Sequence, residues 1–248
     1  MAKKYSYQET VEALQKTISY ELSQLYNSTY INRIGVTPDT NQYFTEIASR
    51  IVLENINEFD KIIRVRRENS YYVSTHCNIK VDLCKTNRHE EVFAKRLTGL
   101  EIPEIGLVID YQVPLKNTLR DKGIGKIDLL SYRDDIKTMY FIELKYKGNQ
   151  ETLLRAILES YTYFKTVDLD KLKEDYINNY NFQENKFISD KNSTDIKIIP
   201  AELVTPGCNA YNELKQMEIG LRPEMRKLVE RLMIPIFSLD IKCSKYEI

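Results

Sequence analysis

The chain has 248 residues, of which 42% are hydrophobic and 29% are charged, with only 8 glycines and 7 prolines. Such a composition can bury a real core, which excludes a chain dominated by disorder. The 36 basic and 36 acidic residues give a formal net charge of zero. This balance argues against a protein held on nucleic acid mainly by its overall charge, but it does not exclude a local basic groove.

The sequence carries no pattern typical of secretion or of a membrane span. Its first residues, MAKKYSYQETVEALQ, lack the apolar core of a signal peptide. No apolar run approaches the roughly 18 residues that a membrane-spanning helix needs. The four cysteines, at positions 77, 84, 208 and 243, form no close pairs, as is usual in a reducing compartment. We therefore expect a cytoplasmic protein with no membrane partner.

The pattern of residues 1–85 predicts a mainly helical N-terminal extension. Apolar residues recur with helical spacing over 7–26 and over about 41–60. From 61 to 83, β-branched and aromatic residues favour short strands or irregular structure. The apolar stripes of the helices pack either on the rest of the protein or on another chain, so a homodimer or a partner protein bound through this extension stays open.

Residues 86–248 show the pattern of an α/β fold, a mixed β-sheet flanked by helices. The first predicted helix, over 87–99, places Glu90 on the apolar face that should be buried. The further elements expected are strands at 107–115, 126–133 and 138–146, a helix at 150–165, a polar stretch at 168–195, a strand at 195–204, helices at 210–218 and 223–232, and a strand at 234–241.

Two of these strands carry charges where apolar residues are expected. In KIDLL and YFIELKY, Asp128, Glu143 and Lys145 interrupt apolar runs, and a buried charge is costly unless it is paired. Antiparallel pairing across the RDDIK turn would place Asp128 beside Glu143, and carboxylates that close repel each other unless a cation lies between them. A small cluster of oxygen ligands suits Mg²⁺ or Mn²⁺. Lys145 would reach the same site, to orient or deprotonate a water or to neutralise a phosphate.

This arrangement, with Gly125 just upstream and apolar flanks around "IDLL" and "FIELK", resembles the signature of the PD-(D/E)XK nuclease superfamily. The resemblance covers residues 87–165, with the last third of the chain as a continuation of the fold. It implies a restriction-endonuclease-like fold and metal-dependent hydrolysis of a phosphodiester bond.

The resemblance also implies roles for individual residues. Asp128, Glu143 and the backbone carbonyl of Leu144 would bind the metal, and Lys145 would serve the attacking water. Glu90, with its neighbour Glu91 as the fallback, would reach the metal directly or through water.

The helix at 150–165 matches one branch of that superfamily in part. The QxxxY branch carries a glutamine and a tyrosine four residues apart on this helix, whereas this chain has Glu159 and Tyr163, so the chain lies near that branch without matching it. Glu151, Arg155 and Glu159 are spaced for mutual ion pairs. Arg155, Glu159 and Tyr163 would then either support the site or contact a phosphate, and the alternative is a surface ion pair between Arg155 and Glu159.

A basic segment, PLKNTLRDKGIGK, precedes the first acidic strand. Its Lys116, Arg120, Lys122 and Lys126 stand against one acid, so the segment is either a contact for a nucleic-acid backbone or a solvated hairpin tip. Its glycines fit the turn, because the pattern lacks the features of a P-loop or a dinucleotide fingerprint.

These features together predict a Mg²⁺- or Mn²⁺-dependent nuclease whose partner is nucleic acid, with DNA as the expected substrate. The first alternative is a catalytically inactive nucleic-acid-binding or protein-interaction module on the same fold. Another is a structural protein whose N-terminal helices bind a partner. Zinc is not expected, because His76, Cys77, Cys84 and His89 have the spacing of no familiar zinc site.

Overall fold

The computed structural model describes residues 5–73, 88–116, 125–179 and 195–240. Within these ranges, none of the helices is long and apolar enough to cross a bilayer. The elements, in chain order, are helices α1 (Tyr7–Glu21) and α2 (Phe44–Glu54), each followed by a 3₁₀ helix (Leu22–Asn27 and Ile56–Lys61), then α3 (His89–Leu97), β1 (Glu101–Ile102), β2 (Gly106–Pro114), β3 (Lys126–Arg133), β4 (Thr138–Lys145), α4 (Leu153–Thr166), α5 (Leu169–Asn179), β5 (Lys197–Val204), α6 (Asn209–Glu218), α7 (Pro223–Leu232) and β6 (Ile236–Ser238).

The strands form one six-stranded sheet in the order β1-β2-β3-β4-β5-β6. The pairs from β1 to β4 are antiparallel, whereas β5 runs parallel to both β4 and β6. The sheet is therefore mixed, helices flank it, and a helical region precedes it. This confirms the α/β class that the sequence predicts.

Strand β4 lies between β3 and β5, and all eight of its residues are buried. One face of the sheet packs, through residues such as Phe141, in a hydrophobic cluster that includes Leu154 and Leu158 of α4. The opposite face, through residues such as Leu144, packs in a second cluster with Phe93 of α3. Burial on both faces explains the nearly continuous apolar sequence of this strand. Glu143 and Lys145 are its charged residues.

The N-terminal helices pack against the rest of the protein. Helix α1 begins at Ser6, whose side chain forms a reciprocal capping box with Glu9. Leu14 of α1 and Phe59 lie in the same hydrophobic cluster as Phe141. Glu46 of α2 accepts hydrogen bonds from the first backbone amides of α7, those of Glu224 and Met225, at 2.9 and 3.0 Å. The proposed division into 1–85 and 86–248 stays a prediction.

The structure differs from the expected elements in several places. Strand β1 (Glu101–Ile102) corresponds to no expected element. Helix α5 falls in the polar stretch at 168–195, to which no element had been assigned, and it buries Leu172 and Tyr176. The expected last strand, 234–241, is only three residues long. The two N-terminal helices each end earlier than expected and continue as a 3₁₀ helix, the first beginning at Leu22 and the second following Asn55.

Candidate active site

Asp128 and Glu143 face each other where the pairing of β3 and β4 ends. The last backbone pair of these strands is Leu129–Ile142, so the next step of the antiparallel register sets Asp128 opposite Glu143. There the backbone amide of Leu144 donates a hydrogen bond to Asp128 Oδ2 at 3.0 Å. The side-chain carboxylate of Asp128 thus takes the place of a backbone carbonyl as the acceptor for this amide. The antiparallel pairing predicted for the two strands is confirmed.

The two acids belong to a row of polar side chains that crosses four adjacent strands. On β2, Gln112 lies opposite Asp128, between the pairs Tyr111–Leu129 and Val113–Ile127, and its Nε2 donates to Asp128 Oδ1 at 2.7 Å. On β5, Glu202 is in register with Glu143. We refer to these four residues, Gln112, Asp128, Glu143 and Glu202, as the polar row.

Lys145 lies next to the polar row and is almost completely buried. Its Nζ is 2.7 Å from Glu143 Oε1, 2.6 Å from Glu151 Oε2 and 3.8 Å from Glu159 Oε2, and 3% of its side chain is exposed. Burial alone would lower the pKa of Lys145, but the surrounding carboxylates, Glu143 first, hold this pKa well above its ordinary value. A permanent ammonium group can orient a water or neutralise a phosphate, but it is a poor group for deprotonating water.

The carboxyl groups of the polar row have raised pKa values. Burial, reinforced by the charge of Glu90, raises the pKa of Asp128 to about 7. Burial and then the neighbouring Asp128 raise the pKa of Glu143 well above its ordinary value. Burial does the same for Glu202, which is 0% exposed. Carboxylates outnumber the cations Lys145 and Arg155 here, so bound protons or a further cation must balance the charge.

Glu90 reaches the site from α3, at the end of β4. Its Oε2 accepts hydrogen bonds from the backbone amide of Tyr146 at 3.0 Å and from Asn149 Nδ2 at 3.1 Å. Burial raises the pKa of this half-buried carboxyl. Glu91 instead forms an ion pair with Arg88 at 3.1 Å. Of the two acids, the structure thus places Glu90 beside the strand that carries Glu143.

An open cleft leads to Glu90 and Gln112. Its volume is about 520 Å³. Exposed Lys147 lies at its edge together with residues from the start of α3. The lining residues are Arg88, His89, Glu90, Glu91, Gln112, Tyr146, Lys147, Gly148 and Asn149.

Helix α4 packs over the strands that carry Glu143 and Glu202, and its Arg155 pairs with two of the carboxylates that surround Lys145. Arg155 Nε lies 2.8 Å from Glu151 Oε1, an ion pair without hydrogen-bond geometry, and Arg155 Nη2 lies 3.8 Å from Glu159 Oε2. Glu159 Oε1 also accepts a hydrogen bond from the Tyr163 hydroxyl at 3.0 Å. The expected Arg155–Glu159 pair exists, but a surface position is wrong for it, because only 18% and 12% of the two side chains are exposed.

The predicted basic segment is described only at its two ends. Lys116 and Lys126 are exposed on either side of the β2–β3 connection. Arg120 and Lys122 lie outside the described residues, as do His76, Cys77 and Cys84 of the zinc pattern. The polar row itself holds two residues that sequence analysis missed, Gln112 and Glu202. Glu202 has the same sequence feature as Asp128 and Glu143, because it is an acid inside an apolar run, IIPAELV.

The residues fit a divalent metal in part. In the described part of the chain, no three His, Cys, Asp or Glu side chains form a group that could hold a metal ion. Mg²⁺ sites, however, often use only one or two carboxylates and complete the shell with waters. Asp128 and Glu143 supply that number. The amide of Leu144 points to Asp128, and the carbonyl of the same strand residue points to the same side.

The chain was compared with family models, with curated proteins and with solved structures, and none of them matches it.

Proposed function

We propose that the chain is a Mg²⁺- or Mn²⁺-dependent nuclease of the PD-(D/E)XK type, with a restriction-endonuclease-like fold, that hydrolyses phosphodiester bonds of nucleic acid, DNA above all. The observation that carries the proposal is the pairing of Asp128 with Glu143 at the end of the β3–β4 ladder, with the Lys145 ammonium group 2.7 Å from Glu143. Burying two opposed carboxyl groups beside a cation costs folding free energy. Such arrangements of perturbed titratable groups cluster at functional sites.

The residues divide the work as follows. Asp128, Glu143 and the Leu144 carbonyl would hold the metal, with Glu90 contributing through water. When bound, the metal would neutralise charge on the phosphoryl oxygens and activate a water. Lys145 remains protonated and offsets the negative charge that develops on the phosphate.

The cleft beside Glu90 and Gln112 would receive the substrate strand. It is open to solvent, and Lys147 is exposed at its edge. Lys116 and Lys126 would extend the contact to the phosphate backbone, together with Arg120 and Lys122 of the same segment.

A catalytically inactive nucleic-acid-binding or protein-interaction module on the same fold is the second candidate. One observation favours it: the Lys145 ammonium group donates a hydrogen bond to Glu143 Oε1 at 2.7 Å, and this contact competes with a metal for the same carboxyl group. In that case the polar row would be a structural network, and the chain would bind nucleic acid or a protein without a metal.

Calorimetric titration with Mn²⁺, run beside a cleavage assay on single- and double-stranded DNA and RNA, tests the proposal. We expect Asp128→Asn and Glu143→Gln each to abolish metal binding and cleavage. Asp135→Asn should change neither, because Asp135 is an exposed turn residue. Absence of Mn²⁺ binding by the wild-type protein would refute the nuclease and favour the inactive module.

The pH dependence of Mn²⁺ binding gives a second test. Because burial raises the pKa of Asp128 to about 7, the metal must displace a proton below that pH. The pKa of Glu143, the second proposed ligand, is also raised well above its ordinary value. Affinity should therefore fall on acidification below pH 7 by up to about tenfold per pH unit for each of the two carboxyl groups that binds a proton. Titrations in two buffers of different ionisation enthalpy would measure the proton release directly.

A further inference from the structure

We propose that Gln112 is a positioning residue that fixes the orientation of the Asp128 carboxylate. The consequence for metal binding rests on the proposed function, whereas the consequence for the orientation of Asp128 does not. Three features of the described residues carry this inference: the backbone conformation of Gln112, the contacts that hold its strand, and the way in which Asp128 is held from two sides.

Gln112 has a backbone conformation that residues other than glycine rarely adopt. Its φ is +48°, although it lies inside β2 between two regular pairs, Tyr111–Leu129 and Val113–Ile127. Residues held in such sparsely populated regions persist where the surrounding structure fixes them, and they cluster at functional sites. The positive φ of Gln112 therefore indicates that the surrounding contacts hold the residue in this conformation.

Contacts from α5 fix the strand just before Gln112. The β2–β3 register shifts between Val108 and Asp110, which is the signature of a β-bulge. Asp110 is 2% exposed, and its carboxylate accepts hydrogen bonds from the Tyr111 amide and from the hydroxyl of buried Tyr176 of α5. Bulges often redirect a side chain next to a functional site, and this one precedes the residue that turns towards Asp128.

Asp128 is held from both neighbouring strands. Gln112 Nε2 donates to Oδ1 at 2.7 Å, and the Leu144 amide donates to Oδ2 at 3.0 Å. Two donors on different oxygens fix both the direction and the plane of the carboxylate. Hydrogen bonds of this kind orient metal-binding side chains, and their loss typically weakens metal affinity about 10- to 100-fold. Gln112 also lines the cleft, so the residue that donates to Asp128 borders the space where a ligand would enter.

Two substitutions separate positioning from a merely structural role. Gln112→Met keeps the length of the side chain but removes the N–H donor. Gln112→Gly also removes the donor, and in addition it relieves the positive φ. We expect both variants to bind Mn²⁺ about 10- to 100-fold more weakly than the wild type, with Gln112→Gly at least as stable as Gln112→Met. Gln150→Met is the control, because Gln150 is exposed and its side chain donates a hydrogen bond to the Gly148 carbonyl, away from Asp128 and Glu143 in the hydrogen bonds of the described residues; its affinity should not change.

Crystal structures of the wild type and of the two Gln112 variants provide a readout that needs no metal. We expect Asp128 to leave its single orientation in both variants. The inference is overturned if Asp128 keeps that orientation, or if Gln112→Gly binds Mn²⁺ with wild-type affinity, since the amide donor would then contribute nothing. If the wild type binds no Mn²⁺, the proposed function fails, and the orientation of Asp128 still decides whether Gln112 positions it.

Discussion

Glu202 offers the sharpest test of the electrostatics beneath α4. Its side chain is 0% exposed, and its Oε1 accepts a hydrogen bond from Ser160 Oγ at 2.5 Å. Its Oε2 is buried and has no hydrogen-bond partner among the residues that the structure describes. Because burial raises the pKa of Glu202 well above the ordinary 4.5, the folded protein keeps this carboxyl protonated at pH values where the unfolded chain ionises it.

The sign and size of the effect follow from proton linkage. A carboxyl group whose pKa is raised in the folded protein does not lower the free energy of unfolding at pH values below its pKa in the unfolded chain. As the pH rises from there towards the pKa in the folded protein, the free energy of unfolding falls. Each pH unit in this window is worth about 1.4 kcal/mol, so the loss between pH 5 and pH 7 is at most about 3 kcal/mol. Glu202→Gln removes the titrating group and keeps an acceptor for Ser160. Between pH 5 and pH 7 the variant should therefore gain up to about 3 kcal/mol relative to the wild type.

Urea denaturation followed by circular dichroism at several pH values measures this difference. The outcome is decided by how the difference in the free energy of unfolding between the variant and the wild type changes with pH. Any effect of the new amide that does not depend on pH leaves this change unaltered. Glu218→Gln is the matched control, since exposed Glu218 pairs with Lys215 on the surface; its difference from the wild type should stay flat. A flat difference for Glu202→Gln as well would refute the reasoning, because Glu202 would then be ionised in the folded protein.

Three further substitutions probe the packing around the site. Lys145→Met should lower the free energy of unfolding by about 3–5 kcal/mol, because it leaves buried carboxylates without their cation; exposed Lys147→Met is the control, and equal losses in the two would contradict this account. Gly125→Ala should cost about 1–3 kcal/mol, since its Cβ would clash with the Tyr163 hydroxyl; in a Tyr163→Phe background the cost should shrink, and an unchanged cost would locate the clash elsewhere. Glu46→Ala should cost about 1–2 kcal/mol by uncapping α7, as thermal denaturation would report; no change in Tm would mean that the capping contact contributes nothing.

Much of the sheet could be predicted from the sequence, because the apolar runs, the turn residues and the segment lengths all indicate the same strands. β3 and β4 fall within a residue of their expected bounds, and their register follows from the short turn between them. Helix α5 was missed because its sequence, LDKLKEDYINN, is mostly polar. Its apolar residues, Leu169, Leu172 and Tyr176, have helical spacing, but the buried partner of Tyr176 is Asp110 of β2, and sequence spacing does not reveal such a contact.

The candidate site was predicted as far as side-chain alternation along single strands allows. Alternation on two strands joined by a short turn brings Asp128 and Glu143 together, and Lys145 follows from a spacing of two. The position of Glu202 beside Glu143 depends on parallel pairing of β5 with β4, which lies more than fifty residues earlier in the sequence. Local sequence pattern does not determine such a pairing. Gln112 depends on a bulge and on a positive φ, and neither leaves a sequence signal when the residue is not glycine.

The contact between α2 and α7 has a practical consequence for fragments of this chain. Arg222, the N-cap residue of α7, makes no capping hydrogen bond with its side chain, so the cap comes from Glu46. A fragment of residues 86–248 would lack that cap, and it would expose the apolar surface that Leu14 and Phe59 cover in the intact chain. Such a fragment should aggregate, and its inactivity in an assay would say nothing about Asp128 or Glu143.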